Sequence, residues 1–245
     1  MSHIRLYVES DLAADTAVAL APPQAHYLAS VMRRAPGDEV LLFNGRDGEW
    51  SARIEALGKK TATLAVAGQT RAQAAGPDLW LLFAPVKRAS LDLVARAATE
   101  LGVSALRPVE TRRTVVGRVN RERMTANAIE AAEQCGRLTV PAVAPMTALA
   151  ALLAEWPRER RILLCDETGG GAPPASALTG ARREGSDAPW AVLVGPEGGF
   201  DPGELDALGN NPIVTGVGLG PRTLRAETAA IAALACWQAL VGGWR

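Results

Sequence analysis

Hydrophobic positions along this chain change their rhythm once. Up to residue 72, short apolar runs alternate with turn signals. EVLLFNG (39–45) reads as a strand ending at a turn, and EWSARIEAL (49–57) follows it. The stretch Asn44-Gly45-Arg46-Asp47-Gly48 between them suits a hairpin loop. TATLAVAG (61–68) gives a third strand, and His26 to Arg34 reads as a short helix closed by Pro36-Gly37. Together these predict a small β-rich domain over residues 1–72. GQTRAQAAGPD (68–78), small and polar, reads as a linker into a second domain over residues 73–245.

Past the linker the pattern becomes strand, helix, strand. LWLLFAPV (79–86) is a continuous apolar run of the kind buried on both faces. Leu91, Val94, Ala95, Ala98 and Leu101 then recur at helical spacing, with Ser90 as the expected N-cap and Gly102 as the stop. VSALRPV (103–109) is the next strand. Met124, Ala128, Ala131, Ala132 and Cys135 mark one face of a helix closed by Gly136. RILLC (161–165) and WAVLVG (190–195) are further buried strands. Asp201-Pro202-Gly203-Glu204 has the residues of a helix start: a capping Asp, Pro in the first helical position, Glu three after the cap. A last helix runs from Ala226 to Val241, with Ala230, Leu234, Trp237 and Val241 on one face. This alternation predicts an α/β domain with a mainly parallel sheet covered by helices. Residues 169–189, rich in Gly, Ala and Pro, read as a mobile surface loop.

Composition narrows the classes. With 48% apolar residues the chain can bury a core without disulfides. Its 26 basic and 26 acidic residues cancel, so any nucleic-acid surface must be a local patch. Three cysteines (Cys135, Cys165, Cys236) lie far apart with no metal-ligand spacing, which argues against a metal site and for a reducing cytoplasm. The start MSHIRLYVES lacks a signal peptide's apolar run, and no stretch approaches the roughly 18 apolar residues of a membrane span. A soluble protein is expected.

Four segments carry candidate chemistry. Gly195-Pro196-Glu197-Gly198-Gly199 joins a buried strand to a capped helix, where α/β sheets bind ligands. It matches no phosphate-loop spacing, and Glu197 would repel a phosphate but tolerate a cationic ligand such as a sulfonium. The alternative is a tight structural turn. In the second segment, Gly216, Gly218 and Gly220 interrupt a strand before Arg222 and Arg225 at the start of the last helix. A helix dipole disfavours cations there, so a partner is expected: Glu227, Glu197 or an RNA phosphate. The third is EQCGR (133–137). The chain's only histidines are His3 and His26, so Cys135 reads as a core residue rather than a nucleophile, and Arg137 as the functional group. The fourth is a basic run from Lys87 to Arg123, with nine basic residues against four acidic, which suits phosphate binding or a plain solvated face.

Taken in order, ELGV (100–103), EQCGR (133–137), GPEGG (195–199) and GLGPRTLRAETA (218–229) resemble the RsmE-type family. These are 16S rRNA uridine-N3 methyltransferases of the SPOUT superfamily. HYLASVMRR and the strands after it resemble that family's PUA-like β-barrel. The likeness spans almost the whole chain. It implies a SPOUT domain with a deep trefoil knot, a homodimer, and S-adenosyl-L-methionine (SAM) as methyl donor without a metal. SAM would lie against Gly195, Pro196, Glu197, Gly198, Gly199, Gly218, Leu219, Gly220 and Leu224. The partner implied is 16S rRNA within the small ribosomal subunit.

That chemistry requires loss of the N3 proton and stabilisation of charge on O2 and O4 of uracil. Arg222 and Arg225 are the expected donors, with Glu227 or Glu197 as base. Arg33, Arg34, Lys59, Lys60, Lys87, Arg113 and Arg137 are candidate RNA contacts. In this chain Arg88-Ala89-Ser90 replaces the family's usual Gly-Asp-basic stretch, and Arg112 stands where an acid is frequent, which bears on RNA contacts more than on the reaction. Three competitors remain: a SPOUT enzyme acting on tRNA or on a ribose 2′-OH, a non-catalytic RNA-binding protein, and a Rossmann-type nucleotide enzyme. The last lacks glycine after the first strand, in APVKRAS.

Overall fold

The computed structural model describes residues 4–180 and 188–244. His3, and residues 181–187 of the expected 169–189 loop, lie outside them. The described chain divides into two compact units, residues 1–75 with 132–140, and residues 76–131 with 141–245.

The first unit is built on a five-stranded sheet. Its strands are β1 (Arg5–Tyr7), β2 (Ala17–Leu20), β3 (Glu39–Phe43), β4 (Glu49–Leu57) and β5 (Ala62–Arg71), in the order β1-β3-β4-β5-β2. Only β1–β3 is parallel. Alternation along the strands turns Leu6, Val18, Val40, Leu42, Ile54 and Leu64 into one core. The β3–β4 hairpin turns where expected: Asn44 Oδ1 accepts the amides of Arg46 and Asp47, both at 2.9 Å. The Asn44 amide and the Leu12 N–H hold the Asp47 carboxyl below its usual range.

Two expectations change here. The strand β5 runs on to Arg71, so the linker is shorter than the composition of residues 68–78 suggested. The helix expected over 26–34 starts earlier, as α1 (Pro22–His26), and continues as one π-helical turn over Tyr27–Val31. Pro22 sets its start, and Arg33 leaves the helix in the left-handed region at φ 50°.

Residues 132–140 complete this unit. They begin with the end of α3 (Arg121–Cys135), whose last carbonyls would otherwise lack partners. The Arg5 guanidinium donates to the carbonyls of Ala132 (2.7 Å), Glu133 (3.0 Å) and Arg137 (2.9 Å), and pairs with Glu49 at 2.6 Å.

The second unit is a three-layer α/β fold. Its strands are β6 (Leu79–Phe83), β7 (Ala105–Glu110), β8 (Ala142–Val143), β9 (Thr147–Ala148), β10 (Arg161–Cys165), β11 (Trp190–Val194) and β12 (Val214–Val217). They pair only in parallel, in the order β12-β10-β11-β6-β7-β8, with β9 beside β7. β11 lies between β6 and β10, both laid down before it.

Strand alternation splits the apolar residues between two faces. Leu79, Leu81, Leu163, Trp190 and Val192 pack with α2 (Arg88–Glu100) and with the C-terminal helix over Ala226–Leu240. Leu82, Ile162, Leu164, Ala191 and Leu193 pack with α4 (Leu149–Ala154) and with the helix over Pro202–Gly209. A single turn, α5 (Pro174–Ala177), precedes these last two helices, which are α6 and α7. Ser90 is not the cap of α2. The helix starts three residues earlier, with Lys87 at the N-cap, and the Ser90 hydroxyl instead donates to the Glu227 carboxylate at 3.0 Å. Among the described residues no helix is long and apolar enough to cross a membrane.

Candidate active site

Three neighbouring strands, β12, β10 and β11, end on the same edge of the parallel sheet. The loops leaving them enclose a cavity of about 790 Å³. Carboxyl ends of parallel strands are where such sheets hold ligands.

The turn after β11 forms one wall. Gly195, Pro196, Glu197, Gly198 and Gly199 all line the cavity. Bonds from three directions brace the turn. Gly199 N–H closes on Pro196 O at 2.9 Å. Arg113, on the loop after β7, donates to Gly198 O at 3.0 Å. Glu167, just past β10, accepts the Phe200 N–H at 2.7 Å. Gly199 has φ +70°, and a Cβ there would stand 2.5 Å from Glu167 Oε1, so any other residue would strain the backbone and push against Glu167.

The helix behind this turn begins as its sequence predicts. Asp201 accepts the Gly203 N–H at 3.0 Å, and Glu204 reaches back to the Asp201 N–H at 3.1 Å. Arg112 fastens the same corner: its amide donates to Glu204 (2.9 Å) and its guanidinium to Asp201 (2.7 Å). Partial burial pushes the Asp201 carboxyl upward, but the Gly203 amide and Arg112 outweigh it and hold it below its usual range.

The stretch after β12 forms the opposite wall. Leu219, Gly220, Pro221, Arg222, Thr223, Leu224 and Arg225 line the cavity, followed by Ala226 and Ala229 of α7. Gly218 stands behind this wall, outside the lining. It crosses the 169–172 segment at close range: its N–H donates to Ala172 O at 3.0 Å, and a Cβ on Gly171 would lie 2.4 Å from the Val217 carbonyl carbon. The start of the expected surface loop is thereby fixed against β12, because glycines let the two backbones touch.

Neither Glu227 nor Glu197 pairs with the helix-start arginines. Arg222 and Arg225 are exposed and, among the described residues, neither guanidinium has a hydrogen bond or ion pair. Glu227 does not reach the cavity lining, since its carboxylate faces Ser90 on α2. Glu197 is exposed within the lining.

Two lining carboxylates escaped the sequence reading. Asp166 and Glu167 follow RILLC without a motif of their own, and only the placement of β10 between β11 and β12 reveals them. Cys165 also borders the cavity, but burial pushes its thiol up to about 12, so it stays protonated and a poor nucleophile.

The remaining basic residues separate. Arg113 lies in the cavity wall. Lys87 is exposed at the start of α2. Arg33, Lys59 and Lys60 are exposed in the first unit, where Arg34 stands 4.0 Å from Asp38. Arg137 is half-buried there; its guanidinium bonds Thr139 Oγ1 at 2.9 Å, and burial lowers its pKa. Cys135 is exposed rather than buried. The inward stripe of α3 runs through Met124, Ala128, Ala131 and Ala132, and stops short of it.

The RNA methyltransferase domain family matches residues 74–238, and the RNA methyltransferase PUA domain family matches residues 20–67. Over 236 residues the chain is 33% identical to the ribosomal RNA small subunit methyltransferase E of Rickettsia conorii, covering 96% of this chain and 95% of that one. The protein of the same description from Bacillus subtilis is 29% identical, with 86% and 85% covered. Among solved structures, ribosomal RNA small subunit methyltransferase E from Neisseria gonorrhoeae, bound to S-adenosyl methionine, aligns over 100% of both chains. Its TM-score is 0.87 at 28% identity. A Legionella pneumophila protein solved with SAM gives 0.84 at 28% identity, over 98% of each chain.

Proposed function

Because the chain belongs to the RNA methyltransferase family, we propose that it transfers a methyl group from SAM to N3 of a uridine in 16S ribosomal RNA. The observation that carries this reading is the cavity over β12, β10 and β11, walled by both glycine-bearing stretches.

The lining suits SAM. Val194, Leu219, Leu224 and Ala229 offer apolar surface, and Asp166 and Glu197 offer negative charge. A molecule with an adenine ring, a sulfonium and an ammonium group needs both. Bound there, SAM supplies a methyl group already activated by its sulfonium.

The chain's own residues must ready the uracil. N3 is a poor nucleophile until its proton leaves. Glu197, exposed in the lining, is the acceptor for that proton. Arg222 and Arg225, whose guanidinium groups make no bond among the described residues, donate to O2 and O4 as negative charge gathers on them. Glu227 serves this arrangement from behind, by joining the first turn of α7 to α2 through Ser90.

We assign RNA holding to residues 1–72, with Arg33, Arg34, Lys59 and Lys60 as phosphate contacts, and methyl transfer to residues 73–245. Lys87, Arg113 and Arg137 extend the RNA contacts. Such contacts position a substrate without reading its sequence. The reading includes a trefoil knot threaded near the glycine crossing, a homodimer, a cytoplasmic location and a substrate carried within the small ribosomal subunit.

Mass spectrometry of 16S rRNA incubated with the protein and SAM tests the proposal. The rRNA should come from cells lacking the protein. One new methyl on uridine N3 is expected; methylation of ribose instead, or no transfer, overturns it.

A further inference from the structure

A second hollow opens on the same edge of the parallel sheet. The cavity described above sits over β12, β10 and β11, and the next two strands in the sheet are β6 and β7. Segments leaving the carboxyl ends of β6 and β7 form a groove of about 340 Å³. With neighbouring strands about 4.8 Å apart, its centre lies roughly 12 Å along the edge from the centre of the cavity.

Floor and rim differ in chemistry. Val86, Leu91, Val116 and Met124 make the floor. Lys87, Arg88, Arg118 and Arg123 make the rim, with Asp92 as the one acid in the lining. Arg123 is already spent on Asp92: Nε meets Oδ1 at 2.7 Å and Nη2 meets Oδ2 at 2.5 Å. Asn127 donates to the same carboxylate at 2.8 Å. Among the described residues the side chains of Lys87, Arg88 and Arg118 make no hydrogen bond or ion pair, and Arg88 acts on Asp92 only through its charge. Three cations without a side-chain hydrogen bond, of which Arg88 shares the field of Asp92, therefore surround an apolar floor. Solvated surface charge does not require that floor, whereas a nucleotide uses both parts, its phosphate on the cations and its base on the aliphatic side chains.

One loop joins the two hollows. Arg113 lines the cavity, and Val116, Arg118 and Asn120 of the same loop line the groove. Thr111 and Thr114 brace its start, with their hydroxyls 2.9 Å apart and the Thr111 N–H donating to Thr114 Oγ1 at 2.9 Å. A strand of RNA lying along this edge would meet both hollows in succession.

We propose that the groove bounded by Lys87, Arg88 and Arg118 seats an RNA nucleotide flanking the target uridine, and so fixes which base enters the cavity. This inference rests on the methyl-transfer reading. Its test is the doubly substituted Lys87→Ala/Arg118→Ala protein, compared with wild type in 16S rRNA binding across a salt series and in methylation kinetics. Binding should weaken on the order of tenfold, and the salt slope should shrink by about 0.7 for each single-strand phosphate that the variant no longer neutralises. KM for rRNA should rise while kcat and SAM affinity stay within twofold, the latter also showing that the variant folds. Lys87→Arg with Arg118→Lys should restore the salt slope. Arg158→Ala, an exposed cation at the amino end of β10, should change nothing. A wild-type slope and KM in the doubly substituted protein overturns the groove, as does an equal loss in Arg158→Ala. Absence of methyl transfer by the wild-type protein is a different result, and overturns the underlying function instead.

Discussion

The two walls of the cavity are both glycine-bearing stretches that lead from a strand into a helix, yet they are held in opposite ways. On the 195–200 side, Glu167, Arg113, Arg112 and the Asp201 cap take up the polar groups of the turn and of the helix behind it. On the 219–225 side, Arg225 occupies the N-cap of α7 without a side-chain cap, and among the described residues neither arginine's guanidinium is bonded to protein. A wall whose bonds are satisfied internally can hold a ligand without reorganising. A wall that leaves cationic donors unpaired at a helix start, against the dipole, keeps them for charge that develops elsewhere. In the proposed reaction the first wall holds its shape around SAM and carries Glu197, while the second adds apolar surface and the two cationic donors.

Substitutions on each side should therefore fail differently. The largest effect is expected from Arg222→Ala with Arg225→Ala. Loss of one preorganised donor costs about 10²- to 10³-fold in kcat, so turnover should fall at least that far. Next comes Gly199→Ala. The left-handed backbone and the crowding by Glu167 should strain the turn by about 1–3 kcal/mol and weaken SAM binding roughly tenfold or more, measured by calorimetry. Glu167→Ala removes the acceptor for Phe200 N–H and should weaken SAM binding roughly fivefold, while Glu167→Gln, which keeps an acceptor oxygen, should stay near wild type. Equal loss in both Glu167 variants would point to charge rather than bracing.

The smallest effect is expected from Arg112→Ala, since its side chain is 68% exposed. SAM affinity should stay within about twofold, with a slight drop in melting temperature. The pH dependence of that drop has a definite sign. A carboxyl held below its usual range stabilises the fold above its unfolded pKa and loses this as pH falls through the folded value. The gap between wild type and variant should persist from neutral pH to about pH 5 and close below about pH 4.

Local chemistry was legible in the sequence wherever it was also decisive. Asp201, Pro202 and Glu204 announce the start of α6, and it begins there because each satisfies a bond within the same turn. The β3–β4 hairpin and the fully apolar strands β10 and β11 are equally plain. Features set by distant contacts were not legible. Ser90 looks like a cap, but its hydroxyl answers to Glu227, 137 residues away. Cys135 fits the helical period, yet the packing partners of α3 end a turn earlier. β1 and β2, only three and four residues long, exist because β3 and β5 pair with them, and their own sequence signal is slight. For the site, both glycine stretches and the two arginines could be named in advance. Asp166 and Glu167 could not, because their importance comes from sheet order, which sequence spacing does not encode.

The most direct test of the two-wall account is calorimetric titration of SAM into the Arg222→Ala/Arg225→Ala protein. The account predicts a dissociation constant within about twofold of wild type, alongside the collapse in turnover. If SAM affinity instead falls in proportion to turnover, the arginines belong to cofactor binding and the division between the walls is wrong.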